Sequence, residues 1–335
     1  MLRFALLLLL LLLFCFFFHG GDGTTFTFMN KCGETVWPGI LSNAGSPPLQ
    51  PTGFELAASA SRAVQAPGGW SGRFWVRTGC SASAAGGGWS CATGDCGSGR
   101  VECDGAGAAP PATLAEFTLA AAAGQDRDFY DVSLVDGYNV PVFVEAGGGR
   151  GCPSAGCAVD VGQRCPAELR VPGQGRVCRS ACDAFGKPEY CCSGAFASPA
   201  TCRATAYSQI FKSACPKSYS YAFDDPTSTF TCSGGADYII TFCPDPVSSL
   251  KSSRNSSSYP SSSSSSSSST STSGGSSSTS TSGRPADGMM LGDDDDAWLA
   301  TLATGDATLS ASRLSFSMYS LIVATIACTA PILMQ

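Results

Sequence analysis

Sixteen of the chain's eighteen cysteines fall between Cys32 and Cys243, while Cys15 and Cys328 sit in apolar runs near either end. An even set of that density points to an oxidising compartment and a disulfide-stapled fold, because cytosolic thiols stay reduced. Spacing alone leaves the pairing open, since sixteen cysteines can be joined in about two million ways. Zinc is the weaker reading. The intervals are irregular, and the one histidine, His19, belongs to the N-terminal apolar run. A mature chain without imidazole excludes Ser-His-Asp and Cys-His catalytic arrangements. Twenty Lys and Arg against twenty-six Asp and Glu give a net charge of −6, which excludes nucleic acid as a partner.

The two ends read as processing signals. A basic start, Met1-Leu2-Arg3, precedes an apolar stretch from Phe4 to Phe18, shorter than the roughly 20 residues a membrane span needs. Gly21 and Gly23 supply small residues at a cleavage site, so residues 1–23 are expected to be a signal peptide. The second apolar run, Met318 to Leu333, is followed only by Met334 and Gln335, with no basic stop-transfer flank. Small residues at Gly305-Asp306-Ala307 and the spacer after them match a glycosylphosphatidylinositol signal. Gly305 is the expected attachment site and residues 306–335 the removed propeptide. Residues 247–305 are rich in Ser and Thr and too poor in apolar groups to fold, so they are expected to form a stalk. Within it, Asn255-Ser256-Ser257 is an N-glycosylation acceptor. The expected location is the outer face of the plasma membrane, or the apoplast and cell wall, with a lipid anchor.

Residues 24–246 carry the folded domain, and their pattern is strand-like. Thr24–Phe28, Arg73–Arg77, Leu114–Leu119, Phe129–Val135 and Val140–Val144 alternate and are bounded by Gly, Pro or Asp-Gly turns. Only Ser180–Phe185 reads as helical. The expected class is mainly β, a sandwich whose Cys- and Gly-rich stretches, 79–107 and 151–216, are loops held by bridges.

Cys91-Ala92-Thr93-Gly94-Asp95-Cys96, followed by Gly99 and Cys103, resembles the signature of the thaumatin-like proteins, the fifth group of plant pathogenesis-related proteins. Phe26–Cys32, Thr35–Gly39, Trp70–Trp75, Pro111–Phe117, Tyr130–Ser133 and Asp136–Pro141 are similar to that family in order. Trp89 departs from it, standing where Gly or Phe is usual. The resemblance implies a β-sandwich with two small disulfide-rich lobes and an acidic cleft. It also implies the pairs Cys32–Cys243, Cys80–Cys91, Cys96–Cys103, Cys152–Cys232, Cys157–Cys215, Cys165–Cys178, Cys182–Cys191 and Cys192–Cys202.

Without histidine, acid-base chemistry falls to carboxylates, and glycoside hydrolysis is the reaction that needs two with separated pKa values. Period-two geometry puts Arg73, Glu116 and Asp131 on the sides of their strands opposite the apolar core set. The family's cleft of one Arg, one Glu and three Asp falls on Arg73, Glu116, Asp131, Asp136 and Asp224, with Asp225 adjacent to the last. In a glucan-cutting cleft Glu116 would be the general acid and Asp131 the base, while Arg73, Asp136 and Asp224 would bind substrate. Asp136 before Gly137, and Asp224-Asp225-Pro226, are equally good turn chemistry. Asp95 reads as a loop-fixing acceptor, and Tyr207, Tyr219 and Tyr221 as packing or sugar-stacking rings.

The resemblance therefore implies a monomeric, cofactor-free defence protein that binds β-1,3-glucan of fungal walls. Weak endo-β-1,3-glucanase activity stays open at this point. So do two alternatives: a non-catalytic module recognising wall carbohydrate or protein, and an inhibitor of microbial glycanases.

Overall fold

The computed structural model describes residues 23–82, 88–121, 127–147 and 151–245. The expected signal sequence up to Asp22, the stalk with Asn255, and the tail with Gly305 lie outside the described residues. Two five-stranded sheets and a short hairpin organise the rest. The strands are β1 (Gly23–Asn30), β2 (Trp37–Ser42), β3 (Ser61–Pro67), β4 (Ser71–Arg77), β5 (Ser81–Ala82), β6 (Trp89–Ser90), β7 (Leu114–Thr118), β8 (Arg127–Ser133), β9 (Val142–Ala146), β10 (Ala155–Gly156), β11 (Phe230–Ser233) and β12 (Tyr238–Phe242). One sheet runs β10-β9-β12-β1-β3 and the other β11-β8-β7-β4-β2, with β5 and β6 paired alone.

The core between the sheets is aromatic. Alternation along β1 turns Phe26 and Phe28 inward, where they meet Phe74 of β4 at 4.7 and 5.1 Å between ring centroids. Phe117 of β7 joins them 4.8 Å from Phe26. Tyr130 of β8 and Tyr238 of β12 close the cluster 5.1 Å apart. Edge-on and offset ring pairs at these spacings add to the area they bury. The first and last strands, β1 and β12, pair in parallel, and Cys32–Cys243 joins the chain just beyond them.

Seven of the strands, β2, β3, β5, β6, β10, β11 and β12, were not legible as such. β2 opens on Trp37-Pro38-Gly39 at a sheet edge, where a proline is tolerated. In β3, also an edge, only Val64 and Ala66 are buried, so its alternation is weak. The helix Ala206–Ala214 was missed as well, although Thr205 and Ser208 cap it reciprocally, Ser208 Oγ accepting from Thr205 N at 2.8 Å and Thr205 Oγ1 from Ser208 N at 3.2 Å. Only Ser208, Phe211 and Ala214 of that helix are buried, too few for a clear stripe. The expected helix at 180–185 forms as Ala181–Phe185, with Ser180 accepting from Asp183 N.

Eight disulfides close among the described residues: Cys32–Cys243, Cys80–Cys91, Cys96–Cys103, Cys152–Cys232, Cys157–Cys215, Cys165–Cys178, Cys182–Cys191 and Cys192–Cys202. Cys157–Cys215 and Cys165–Cys178 sit in a small apolar cluster with Val161, Leu169 and Phe211, and Cys192–Cys202 in another with Ala222. That segment is therefore a stapled lobe with its own small core.

Candidate functional site

Antiparallel pairing of β4, β7 and β8 sets three charged residues in one row. Arg73 lies opposite Glu116, and Glu116 opposite Asp131. Side chains at directly opposed positions are close neighbours on one face, so the register alone brings the guanidinium and both carboxyls together. All three lie on the face away from Phe74, Phe117 and Tyr130, as their alternation predicts. That face is not open, however. Trp75 and Leu114, on the same side, pack with Cys96, Cys103 and Ala112 beneath the loop of residues 91–112. Glu116 is left 1% exposed and Asp131 4%. The row on the non-core side is therefore itself buried, with Arg73 the most exposed of the three at 9%.

Arg73 Nε stands 3.8 Å from Glu116 Oε1, too far for a hydrogen bond. Arg73 Nε, Glu116 Oε1 and Asp131 Oδ1 are buried and make no hydrogen bond among the described residues. Arg73 Nη2 reaches Asn43 Oδ1 at 3.4 Å, and Asn43 in turn donates to Ser71 Oγ at 2.7 Å. Burial pushes Glu116 up to about 8, against the attraction of Arg73 and with a further push from Asp136. Asp131 is raised well above the carboxylate range, first by burial and then by Glu116, with Asp225 adding to it and Arg73 opposing. Two carboxyls thus share one cation, and the arrangement favours keeping protons on them.

Asp136 serves both of the readings given to it. Gly137 N donates to Leu134 O at 3.0 Å and Gly137 has φ +91°, so Asp136 does sit in a tight turn. Its carboxyl is also raised by burial, and Arg73 acts on it in the opposite direction. Asp224 and Asp225 divide their work. Asp224 Oδ2 pairs with Lys212 Nζ at 3.0 Å and accepts from Ser220 N and Oγ at 3.0 and 2.8 Å, which ties down its own loop. Asp225 is the one whose charge acts on Asp131. Its Oδ1 accepts from the Tyr219 hydroxyl at 2.8 Å.

Tyr219 is buried and joins that loop to the row. Its N donates to Val132 O and its O accepts from Leu134 N, both at 2.9 Å, so it runs beside the end of β8 while its hydroxyl reaches Asp225 and Thr229. Asp95 accepts from Cys91 N and Gly97 N, both at 3.2 Å, and fixes the signature loop. Gly94 there has φ +62°, and a Cβ on it would lie 2.9 Å from Val76 O. The loop therefore needs glycine at that position.

A profile of the thaumatin family matches residues 30–244. The chain belongs to the thaumatin family. Among curated relatives, thaumatin-like protein 1 of Arabidopsis thaliana is 63% identical over 230 residues, which cover 67% of this chain and 88% of the relative. Pathogenesis-related thaumatin-like protein 3.5 of Cryptomeria japonica is 58% identical over 224 residues, covering 66% and 90%. A Prunus avium protein named glucan endo-1,3-beta-glucosidase is 53% identical over 229 residues, covering 67% and 92%. The mainly β, disulfide-rich architecture is that of a thaumatin-like protein. The residues matched by the family profile include the Arg73–Glu116–Asp131 row.

Proposed function

We propose that this thaumatin-like protein is a defence protein that binds β-1,3-glucan across the charged row, with hydrolysis slow at best. One observation carries the reading: three polar atoms of the row, Arg73 Nε, Glu116 Oε1 and Asp131 Oδ1, are buried without hydrogen bonds. Such groups are costly to leave unpaired, and sugar hydroxyls, which both donate and accept, are suited to satisfy them. Arg73 and the half-buried Asp136 form the approach to the row, and Asp225 stands behind Asp131. Glu116 held protonated at neutral pH has the state a general acid requires, and Asp131 is the candidate base. Catalysis needs a reacting oxygen within hydrogen-bond reach of the acid. The depth of both carboxyls limits that approach, so binding is expected to exceed turnover. A relative named as a glucan endo-1,3-beta-glucosidase supports the choice of polymer.

The test is binding and reducing-end release on linear β-1,3-glucan by the wild type, Glu116→Gln and Asp131→Asn. Binding with release lost in both variants supports hydrolysis by this pair, and binding without release by the wild type supports a recognition module. Absence of binding would overturn the reading and favour a protein target such as a microbial glycanase.

We further infer that the protein works at the outer cell surface, held by a lipid at Gly305 on a Ser-rich stalk glycosylated at Asn255. The inference rests on the sequence of the two ends. Release from intact cells by a phosphatidylinositol-specific phospholipase is the expected result, and retention after that treatment would refute it.

A further inference from the structure

The sheet face that carries the charged row is not buried evenly. Ser71 of β4 stands opposite Thr118 of β7, Thr118 opposite Phe129 of β8, and Phe129 opposite Thr231 of β11. Ser71, Thr118 and Phe129 lie two places along their strands from Arg73, Glu116 and Asp131. This second row therefore runs beside the first on the same side of the sheet, about 7 Å away. The two differ in cover. Arg73, Glu116 and Asp131 are buried, as are Trp75 and Leu114 on their other side, whereas Ser71, Thr118, Phe129 and Thr231 are all half-buried. A polymer that cannot enter among the buried groups can still lie along the second row.

The polar groups of that row are tied to one another and to the charged row. Asn43 N donates to Ser71 O at 2.9 Å, and Ser71 N donates to Ser46 Oγ at 2.9 Å, so the turn after β2 extends the row past β4. Asn43 Nδ2 donates to Ser71 Oγ at 2.7 Å, and Ser71 Oγ lies 3.1 Å from Thr118 Oγ1. Arg73 Nη2 reaches Asn43 Oδ1 at 3.4 Å. Arg73, Asn43, Ser71 and Thr118 thus form one hydrogen-bonded relay that begins on the cation of the charged row. A hydroxyl offers a proton and two lone pairs, more than the relay uses at Ser71 or Thr118.

The chemistry of the strip selects its ligand. Asn43, Ser71, Thr118, Phe129 and Thr231 include no charged side chain, so the strip itself offers an ion no counter-charge. Hydroxyls and an amide already held in place exchange bonds readily with the hydroxyls of a neutral sugar, at little cost in ordering. Neighbouring strands stand about 4.8 Å apart, so Ser71 to Thr231 covers about 14 Å, more than one sugar ring. We propose that the polymer is seated on this strip, where Asn43, Ser71, Thr118 and Thr231 bind hydroxyls of successive sugars in a β-1,3-glucan chain that crosses the strands alongside Arg73. This rests on the glucan-binding reading above, and it supplies the accessible contacts that the buried carboxyls lack.

Calorimetric titration of the full-length protein with a linear β-1,3-gluco-hexasaccharide tests it. Thr118→Val and Thr231→Val keep the shape of a β-branched strand residue and remove only the hydroxyl. Each is expected to weaken binding about three- to tenfold, the scale of one hydrogen bond. Asn43→Ala, which breaks the relay, is expected to cost at least as much. Thr118→Ser, which keeps the hydroxyl, is expected to retain wild-type affinity, and a loss there equal to that of Thr118→Val would overturn the proposal by showing that packing is at work. Should Asn43→Ala melt early, the two valine variants decide the matter. Unchanged affinity in both of them, beside a wild type that binds, would overturn the strip alone. A wild type that does not bind the hexasaccharide would overturn the glucan reading and the strip with it.

Discussion

Arg73 and Glu116 stand at one register position of β4 and β7, with Nε 3.8 Å from Oε1 and neither atom hydrogen-bonded among the described residues. A buried ion pair of that geometry recovers little of the desolvation its charges cost. Protonation of the carboxyl is the cheaper solution, and a second carboxyl, Asp131, adjoins the same acid with Arg73 as the shared cation. The row is thus better suited to holding protons than to holding a charged pair.

That has a consequence for stability. Both carboxyls are raised in the folded chain, so between about 4.5 and about 8 the native state keeps protons that the unfolded chain has released. Stability therefore falls as the pH rises through that window, and is fullest on its acid side. Thermal unfolding is expected to give a Tm that drops from pH 5 to pH 8. Glu116→Gln has no proton to lose there and is expected to show a shallower drop. An equally steep decline in the variant would contradict the assignment of raised Glu116.

Removing Arg73 should act in the same window. The guanidinium lowers the cost of ionising Glu116 and Asp131, so Arg73→Gln raises both carboxyls further and leaves any charge that forms without its partner. A loss of about 1–3 kcal/mol is expected at pH 8, the scale of a buried polar group deprived of its partner. At pH 5, with both carboxyls protonated, the loss should be much smaller. Urea titrations at the two pH values give the comparison, and equal losses at both would refute it.

Alternation in the strands around Arg73, Glu116 and Asp131 was enough to place all three on one side of the sheet. It could not show that the side is covered. Beside the row, Trp75 and Leu114 are packed by the 91–112 loop, whose path depends on Cys96–Cys103, Asp95 and a positive φ at Gly94 rather than on any periodic pattern. The division of labour between Asp224 and Asp225 was hidden for a similar reason. Both suit the turn before Pro226, and only the placement of Lys212, from a helix that sequence did not reveal, distinguishes them. The pairing of the cysteines had its source in the family resemblance, since spacing alone leaves them interchangeable. The packing of Phe185, Tyr190 and Tyr207 against one another is brought about by short stapled elements and left no signal in the sequence beyond the residue types.

Loop length predicts an order among the disulfides. Cys32–Cys243 spans 211 residues and Cys96–Cys103 spans 7. In the chain-entropy treatment, opening the first costs about 5 kcal/mol and opening the second about 2. Paired Cys→Ala variants compared by urea denaturation are expected to keep that order, with a difference of about 3 kcal/mol. The ends of β1 and β12 should loosen first in the long-loop variant, because that bridge fastens their parallel pairing. A smaller loss for the long loop than for the short one would show that local packing, and not closure of the unfolded chain, dominates.

Arg77 offers the sharpest test of the second, loop-facing side of the sheet. It is fully buried, and its guanidinium donates to Trp37 O at 3.0 Å, Pro38 O at 3.2 Å and Val101 O at 2.6 Å. Its other surface lies 4.9 Å from the centre of the Trp89 ring, where the family more often has a small residue or Phe. A lysine has one compact ammonium and cannot reach three carbonyls spread over β2 and the 101 loop. Arg77→Lys is therefore expected to cost about 2–4 kcal/mol, by leaving buried acceptors unpaired. Trp89→Gly should cost about 0.5–2 kcal/mol, through the lost ring contact. Because both changes act on one guanidinium, the double variant should lose less than the two single losses added together. Chemical denaturation of the four proteins measures this directly, and strictly additive losses would show that the Trp89 ring contributes nothing through Arg77.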